Sequence, residues 1–154
     1  MPPLMAEAGV ATPQNGAMEY EYDDDPARID RDAVWGWLST EVYWARWRTR
    51  ADVEAQLDSA WRLVGAYRTD TGEMVGFARA ISDGVAFAYL ADVFVADAHR
   101  GHSLGKGIVS RMIDEGPGAH FRWTLFTSTA HGLYRQFGFA EPDHTAMVRP
   151  AATA

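Results

Sequence analysis

Three consecutive strand patterns in the middle of the chain restrict its fold more than any other segment does. Apolar residues recur with a period of two over residues 61–68 and again over residues 74–81, and the turn that ends at Gly72 joins these runs as a hairpin. A third run, residues 86–95, follows a reversal at Gly84 and carries apolar residues on both faces. Such a run predicts a central strand that other elements cover on both sides.

Helical patterns flank these strands, and further strand patterns complete the chain. Leu104, Ile108 and Met112 recur at every fourth position, which places them on one apolar helix face. The other predicted elements, in chain order, are a strand at residues 18–22, helices at 30–39 and 50–59, a helix at 103–115, a strand at 121–127, a short helix that Thr129 caps, and a strand at 139–149. Because hairpins join antiparallel strands and helical crossovers join parallel ones, this order predicts an α/β fold with a mixed sheet.

One domain accounts for the length of 154 residues. Residues 1–16 are rich in Pro, Ala and Gly, so we expect a flexible tail there, a domain at residues 17–150 and a short second tail at 151–154. The chain has no cysteine, which excludes a disulfide and a thiolate zinc site. His99 and His102 lie close together without a third ligand beside them, so we expect no metal.

Charge and hydropathy argue against two classes of partner. The net charge of −7 disfavours nonspecific nucleic-acid binding, which needs many cationic contacts to phosphates. No apolar run approaches the roughly eighteen residues of a membrane span, and the first residues lack the basic start and apolar core of a secretory signal. We therefore expect a cytoplasmic protein without nucleic-acid or membrane partners, and both a monomer and a homodimer remain open.

The glycine-rich loop after the third strand supports two interpretations. Residues 101–105 read G-H-S-L-G, which fits the G-x-S-x-G nucleophile elbow of serine hydrolases. In such an elbow the strand runs directly into the first glycine, whereas residues 96–100 separate Val95 from that glycine here. A serine hydrolase that uses Ser103 is therefore the minor alternative.

The other interpretation is an anion site at the start of the following helix. A glycine-rich turn that leads into a helix presents unpaired backbone amides and the positive end of the helix dipole, and both suit a pyrophosphate. Gly101 allows close approach of the backbone, and Gly105 lies in the first helical turn. Arg100 and Lys106, the only lysine of the chain, add positive charge. A capped helix with incidental basic residues would show the same loop, so the loop alone does not decide.

Two signatures together resemble the GNAT superfamily of N-acetyltransferases. Residues 100–105 match its coenzyme A signature, [R/Q]-x-x-G-x-[G/A], with Ser103 where the family has glycine. Its second signature is N-x-x-A-x-x-x-Y-x-x-x-G-F, and the residues that match it in spacing are Ala130, Tyr134, Gly138 and Phe139. Thr127 stands in place of the asparagine. The resemblance covers roughly residues 18–149.

The resemblance implies a three-layer α/β fold: a central mixed, mostly antiparallel sheet of about six to seven strands, flanked by about four helices. The strand before the loop would carry a bulge and splay from the next strand. The resemblance also implies acetyl-CoA as co-substrate, without a metal. The cofactor-binding residues that it implies are Val93, Phe94, Val95, Arg100, Gly101, His102, Ser103, Leu104, Gly105, Lys106 and Thr127.

Two departures from the family pattern bear on coenzyme A binding. The Cβ of Ser103 could hold the backbone further from a phosphate, whereas its hydroxyl could donate to a phosphate oxygen. Thr127 is shorter than asparagine and cannot make the same amide contact to the pantetheine arm. We expect weakened binding, and a non-catalytic acyl-CoA-binding or sensing module is an alternative function.

Tyr134 and Asp92 are the candidate catalytic residues. The reference pKa of tyrosine is about 10 against about 8.5 for a thiol, so full proton transfer from Tyr134 to a thiolate is uphill by about 2 kcal/mol. Tyr134 would then assist thiolate departure by hydrogen bonding. Asp92 could accept a proton from the amine, anchor a cationic substrate or pair with an arginine. Tyr43 and Trp44 form either a wall of the acceptor pocket or a packed corner between helices.

The combined prediction is an acetyl-CoA-dependent N-acetyltransferase. It would transfer an acetyl group directly to a primary amine of a small molecule or peptide.

Overall fold

A single five-stranded sheet organises the part of the chain that the computed structural model describes, residues 18–42 and 47–152. The strands, in spatial and chain order, are β1 (Tyr20–Asp23), β2 (Arg62–Arg68), β3 (Met74–Ser82), β4 (Phe87–Val95) and β5 (Arg122–Thr124). The first four strands are antiparallel to their neighbours, and β5 lies parallel to β4. The predicted mixed, mostly antiparallel sheet is confirmed.

Four α-helices cover the two faces of this sheet within the described residues. They are α1 (Arg31–Thr40), α2 (Arg50–Ser59), α3 (Leu104–Met112) and α4 (His131–Arg135). The start of α2 follows from its sequence, because the Thr49 hydroxyl accepts the amide of Asp52 while the Asp52 carboxylate accepts the amide of Thr49. None of these helices has the length and apolarity that crossing a membrane requires.

Two apolar cores, one on each sheet face, hold the three layers together. Buried residues of α1 and α2 pack on strand residues of one face, namely Val34, Leu38, Val53 and Leu57 on Leu63, Tyr67, Phe77 and Phe94. Buried residues of α3 and α4 pack on the other face, namely Leu104, Ile108, Val109, Met112 and Tyr134 on Val64, Ala78, Ala80 and Leu90. The three-layer α/β architecture is as predicted.

β4 carries a bulge that reverses the facing of its second half. Asp92 lies opposite Arg79 and Leu90 lies opposite Ala80, so Ala91 is an extra residue in the ladder. Leu90 therefore packs towards α3, whereas Phe94 packs towards α1 and α2. Asp92 shares the face of Phe94 and not that of Leu90. Simple strand alternation would have placed all three side chains together.

β4 also separates from β5, which opens one of its edges. β5 pairs only with the first three residues of β4, up to Tyr89 opposite Thr124. The antiparallel partner β3 follows β4 as far as Val95. From Leu90 to Val95 the edge of β4 that faces away from β3 has no strand partner in the described sheet. The splayed strand implied by the family resemblance is present.

The predicted last strand is wrong, and the described sheet has fewer strands than the six to seven expected. Residues 139–149 form no strand. Pro142 cannot donate to a ladder, and a turn follows in which Ala146 donates to the Asp143 carbonyl at 3.2 Å. The predicted helix cap at Thr129 is also wrong, because α4 starts after Ala130.

Candidate active site

The loop between β4 and α3 forms the floor of an open cleft. After Val95 the chain makes a 3-10 turn over Asp97–His99 and turns through Gly101, whose φ of 86° suits glycine. The amide of Gly107 makes the first bond of α3, to the Ser103 carbonyl at 3.1 Å. The amides that precede Gly107 in the first turn of α3 are therefore free of intrahelical bonds.

This cleft encloses about 430 Å³ between the loop and α4. Leu133 and Gln136 of α4 line it opposite the first turn of α3. Gly105 lies close to α4, since a Cβ there would stand 3.6 Å from the Leu133 side chain. The loop residues predicted to bind a cofactor and contributing to the lining are Val95, Arg100, Gly101, Ser103, Leu104, Gly105 and Lys106.

Two cationic side chains border the cleft. Arg100 donates from Nε to the Val95 carbonyl at 3.2 Å and from Nη1 to Asp97 at 3.1 Å. Lys106 has no salt bridge to another residue of the described segments. A helix start with free amides, a free ammonium and an arginine suits a phosphate group.

His102 and His99 hold the loop to the first strand. The hydroxyl of Tyr20 lies 2.9 Å from Nδ1 of the buried His99, and the ring of His102 lies 5.7 Å from the Tyr20 ring. His102 was predicted to bind the cofactor, and it is not among the residues that line the cleft. The contact of His99 with Tyr20 was not predicted, because the two residues are 79 positions apart in sequence.

Ser103 has a left-handed backbone, with φ of 59° and ψ of 26°, directly before α3. Its side chain makes no hydrogen bond to a histidine or carboxylate in the described segments. The 3-10 turn after Val95 also separates it from the end of β4. This arrangement lacks the activating base that a serine nucleophile requires.

Tyr134 is a buried member of the apolar core that α3 and α4 form with one sheet face. Val93 and Val95 pack against the same apolar cluster as Tyr134, and the Tyr134 ring meets Phe139 edge to face at 5.9 Å. Burial raises the pKa of Tyr134 above its ordinary value. The hydroxyl is therefore a weaker acid than that of a free tyrosine, so it stays protonated well above neutral pH.

Asp92 is held by two buried arginines. Both of its oxygens accept from Arg48 at 3.1 Å, and Oδ2 also accepts from Nε of Arg79 at 2.8 Å. The exposed fractions of the Asp92, Arg48 and Arg79 side chains are 8%, 5% and 7%. Burial alone would raise the pKa of Asp92, but the hydrogen bonds of Arg48 and the charge of Arg79 outweigh it and lower the pKa.

Sequence reasoning missed the two arginines. Arg79 lies in the second strand pattern and Arg48 in an aromatic and basic segment, and neither was predicted as a site residue. An arginine in the otherwise apolar strand β3 was a usable signal, because a buried guanidinium needs a carboxylate partner. Arg48 lies 44 residues before Asp92 in sequence, and nothing local indicated that contact.

The remaining predicted site residues fall in different places. The hydroxyl of Thr127 accepts from the amide of Ala130 at 3.0 Å, so it helps to start α4. Tyr43 and Trp44 lie outside the described residues. Within the described segments no three potential metal-ligating side chains cluster.

Comparisons with known proteins agree with this geometry. The model of the acetyltransferase (GNAT) domain family matches residues 60–141. A Gibberella zeae protein assigned as an acetyltransferase is 28% identical over 140 residues, covering 78% of each chain. A Xanthomonas campestris pv. campestris structure assigned to the GNAT family is 32% identical, covers 88% of this chain and 96% of its own, and has a TM-score of 0.80.

A more distant structure shows the same fold. An aminoglycoside N-acetyltransferase solved in complex with CoA is 17% identical, covers 92% of this chain and 99% of its own, and has a TM-score of 0.56. At that identity the likeness concerns the fold alone. The family match and the Xanthomonas structure go further: this chain belongs to the GNAT family of acetyltransferases.

Proposed function

We propose that this protein transfers an acetyl group from acetyl-CoA directly to a primary amine of a small molecule or peptide. The observation that carries the proposal is the pairing of two features: the free amides that start α3 lie in the cleft, and the open edge of β4 ends at Val95, which lines the same cleft. The first suits a pyrophosphate, and the second offers unpaired backbone groups to an extended amide chain. The fold relative that holds CoA supports the same assignment.

The residues present fit this co-substrate. The first-turn amides of α3, together with Lys106 and Arg100, would hold the pyrophosphate, since they combine free donors with positive charge. The backbone of Val93, Phe94 and Val95 would pair with the pantetheine arm. The bound thioester supplies an acetyl group that is activated for transfer to an amine.

Tyr134 is the candidate hydrogen-bond donor to the departing thiolate. Val93 and Val95 pack against the same apolar cluster as Tyr134, which supports this role. Because burial raises its pKa, it donates a hydrogen bond rather than giving up its proton. Its contribution is stabilisation of the negative charge on sulfur.

We infer that Asp92 positions Arg48 and Arg79 and does not act as the base. A carboxylate with a lowered pKa and both oxygens occupied is a poor proton acceptor. The amine would lose its proton to water before it reaches the acetyl group. This leaves the two arginines as the charged groups that the buried cluster can offer to a substrate.

The decisive experiment combines binding with turnover. We expect CoA and acetyl-CoA to raise the melting temperature, because both bind the native state, and amines to release free thiol from acetyl-CoA. Binding without thiol release across a broad amine panel would instead support a non-catalytic acyl-CoA module. Absence of binding would contradict the proposal, and labelling of Ser103 by a fluorophosphonate would revive the hydrolase alternative.

A further inference from the structure

The buried cluster of Arg48, Asp92 and Arg79 carries an excess positive charge. One carboxylate faces two guanidinium groups, and the third polar neighbour, Gln56, is neutral and accepts from Arg48 at 2.8 Å. Nε of Arg48 is buried and has no hydrogen-bond partner. The charge of Arg48 also lowers the pKa of Asp52, an exposed carboxylate at the start of α2, so Arg79 is the guanidinium whose one carboxylate partner in the described segments is Asp92. A buried uncompensated cation is costly, so a ligand anion at this place would be favoured.

Arg79 retains donors for such an anion. Its hydrogen bond to Asp92 uses Nε, and its two terminal nitrogens make no hydrogen bond to the described segments. A planar guanidinium with free terminal nitrogens matches the two oxygens of a carboxylate. The side chain is also more than nine-tenths buried, so its geometry is fixed by packing.

An uncovered apolar sheet face begins directly beside this cluster. Ile81 follows Arg79 by two positions on β3 and therefore shares its face, and Tyr89 lies opposite Ile81 on β4. The Phe126 ring, 66% exposed, meets the Tyr89 ring edge to face at 5.9 Å. α1 and α2 bury Phe77 and Phe94 on the same face, but Ile81 remains exposed. An apolar group bound beside Arg79 would cover these side chains.

From this arrangement, and resting on the proposed function, we propose that the acceptor is an α-amino acid with an apolar side chain. Its carboxylate binds the terminal nitrogens of Arg79, and its side chain packs on Ile81, Tyr89 and Phe126. Asp92 adjoins Val93, where the open edge of β4 receives the acetyl group. The amine and carboxylate of an α-amino acid sit on one carbon, so both reach their sites together. A cationic acceptor is disfavoured, because both Asp92 oxygens already accept from arginines.

The first test measures wild-type turnover on matched acceptors. Phenylalanine and leucine are compared with their amides and with phenethylamine, at saturating acetyl-CoA. We expect kcat/KM for the amino acids to exceed that for the amides by about 10- to 100-fold, the range for a charge-assisted pair. The amide amine is less basic and more often neutral, so intrinsic reactivity alone gives the opposite order. Equal or higher rates for amides and phenethylamine would overturn the proposal and leave acetyl transfer intact.

The second test removes the guanidinium. Arg79→Gln should reduce the preference for amino acid over amide to within about threefold, and Arg79→Lys should leave an intermediate preference. Arg50→Gln is the matched control, because Arg50 pairs with Asp32 and Glu54 on the surface of α2. Should Arg79→Gln fail to fold, Arg79→Lys and the wild-type panel still decide the outcome. An unchanged preference in Arg79→Lys and Arg79→Gln would contradict the assigned residue.

A binding arm covers the case in which no amino acid is acetylated. N-acetylphenylalanine and its amide are titrated into the protein with and without CoA, and the melting temperature is followed. The proposal requires that the carboxylate form stabilises more, and equal effects overturn it. A protein that does not respond to CoA but prefers the carboxylate form would refute the proposed function and keep this site.

Discussion

Ser103 has a positive φ of 59°, and in the described part of the chain no other non-glycine residue does. A left-handed backbone costs a residue with a Cβ about 1–2 kcal/mol. The GNAT signature has glycine at this position, and the observed backbone gives the physical reason. The serine therefore keeps the loop geometry at the expense of strain.

Replacing this serine tests whether strain or its hydroxyl matters more. Ser103→Gly should raise the free energy of unfolding by up to about 1 kcal/mol, since relief of strain exceeds the entropy cost of glycine. CoA should bind at least as tightly as to wild type. Urea denaturation and titration calorimetry measure both. Gly101→Ala, at φ of 86°, should show the opposite sign for stability. Weaker CoA binding by Ser103→Gly would mean that the hydroxyl contacts a phosphate.

Tyr134→Phe separates thiolate stabilisation from packing. The ring contact with Phe139 survives the change, so CoA affinity should stay within about twofold. Turnover should fall by about 10- to 100-fold, because a hydrogen bond to a charged group is lost. Since the pKa of Tyr134 is raised above 10, the wild-type rate should not fall through ionisation of this group between about pH 7 and 9. Equal turnover in both proteins would remove Tyr134 from the mechanism.

At the scale of elements, local patterns predicted what local physics controls. The helix predicted at residues 50–59 matches α2, which Thr49 and Asp52 cap, and alternation predicted the hairpin of β2 and β3. The bulge at Ala91 depends on pairing with β3, and it removes Leu90 from the face that Asp92 shares with Phe94. The strand expected at residues 139–149 does not form, because Pro142 and the turn that Asp143 and Ala146 close interrupt the segment in spite of its apolar residues.

The candidate site divides in the same way. Its loop could be predicted, because the glycines and the helix start are contiguous in sequence. The arginine cluster could not, because Arg48 comes from the connection before α2, Arg79 from β3 and Asp92 from β4, and they meet only through the fold. The bond between the Tyr20 hydroxyl and His99 spans 79 residues and was equally out of reach.

Asp92→Asn tests how this cluster stabilises the packing of β3 and β4 against the connection before α2. Without the Asp92 carboxylate, the two buried arginines are uncompensated. We therefore expect the free energy of unfolding to fall by about 3–5 kcal/mol at pH 7. The pKa of Asp92 is lowered in the folded state, so its contribution is present above the unfolded value of about 3.9 and disappears as the pH falls through the folded value. The difference in the free energy of unfolding between wild type and Asp92→Asn should therefore become smaller below about pH 4.

Urea denaturation at pH 7, 5 and 3.5 measures this difference. Asp32→Asn is the control, since Asp32 pairs with Arg50 on the surface, and it should change the free energy of unfolding by at most about 1 kcal/mol. The ion-pair explanation would be contradicted if Asp92→Asn lowered the free energy of unfolding only slightly at pH 7, or by the same amount at pH 7 and pH 3.5.

At the scale of the whole molecule, the proposed co-substrate is anionic and the chain has a net charge of −7. The Debye length is about 8 Å at physiological salt, so most of the negative surface is screened from the cleft. The groups that line the cleft include the amides that start α3, Arg100 and Lys106, and Asp97 is the carboxylate paired with Arg100. At physiological salt, the attraction of CoA to these groups should therefore exceed its repulsion by the acidic surface. At very low salt, the repulsion by the acidic surface is less screened and should weigh more.

Lys106→Gln tests this balance, because Lys106 has no salt bridge within the described segments and its charge is available to a ligand. CoA affinity should fall about 3- to 10-fold at 0.15 M salt, the loss of one exposed charge-assisted contact. Between about 0.1 and 0.5 M salt, wild-type affinity should decrease, and that of the variant should decrease less steeply. Calorimetric titrations at several salt concentrations measure both slopes, with Arg50→Gln as a variant of equal net charge. Equal salt dependence of CoA affinity in wild type and Lys106→Gln would place the pyrophosphate away from Lys106. Removing a charge that does not contact the ligand leaves the salt dependence unchanged.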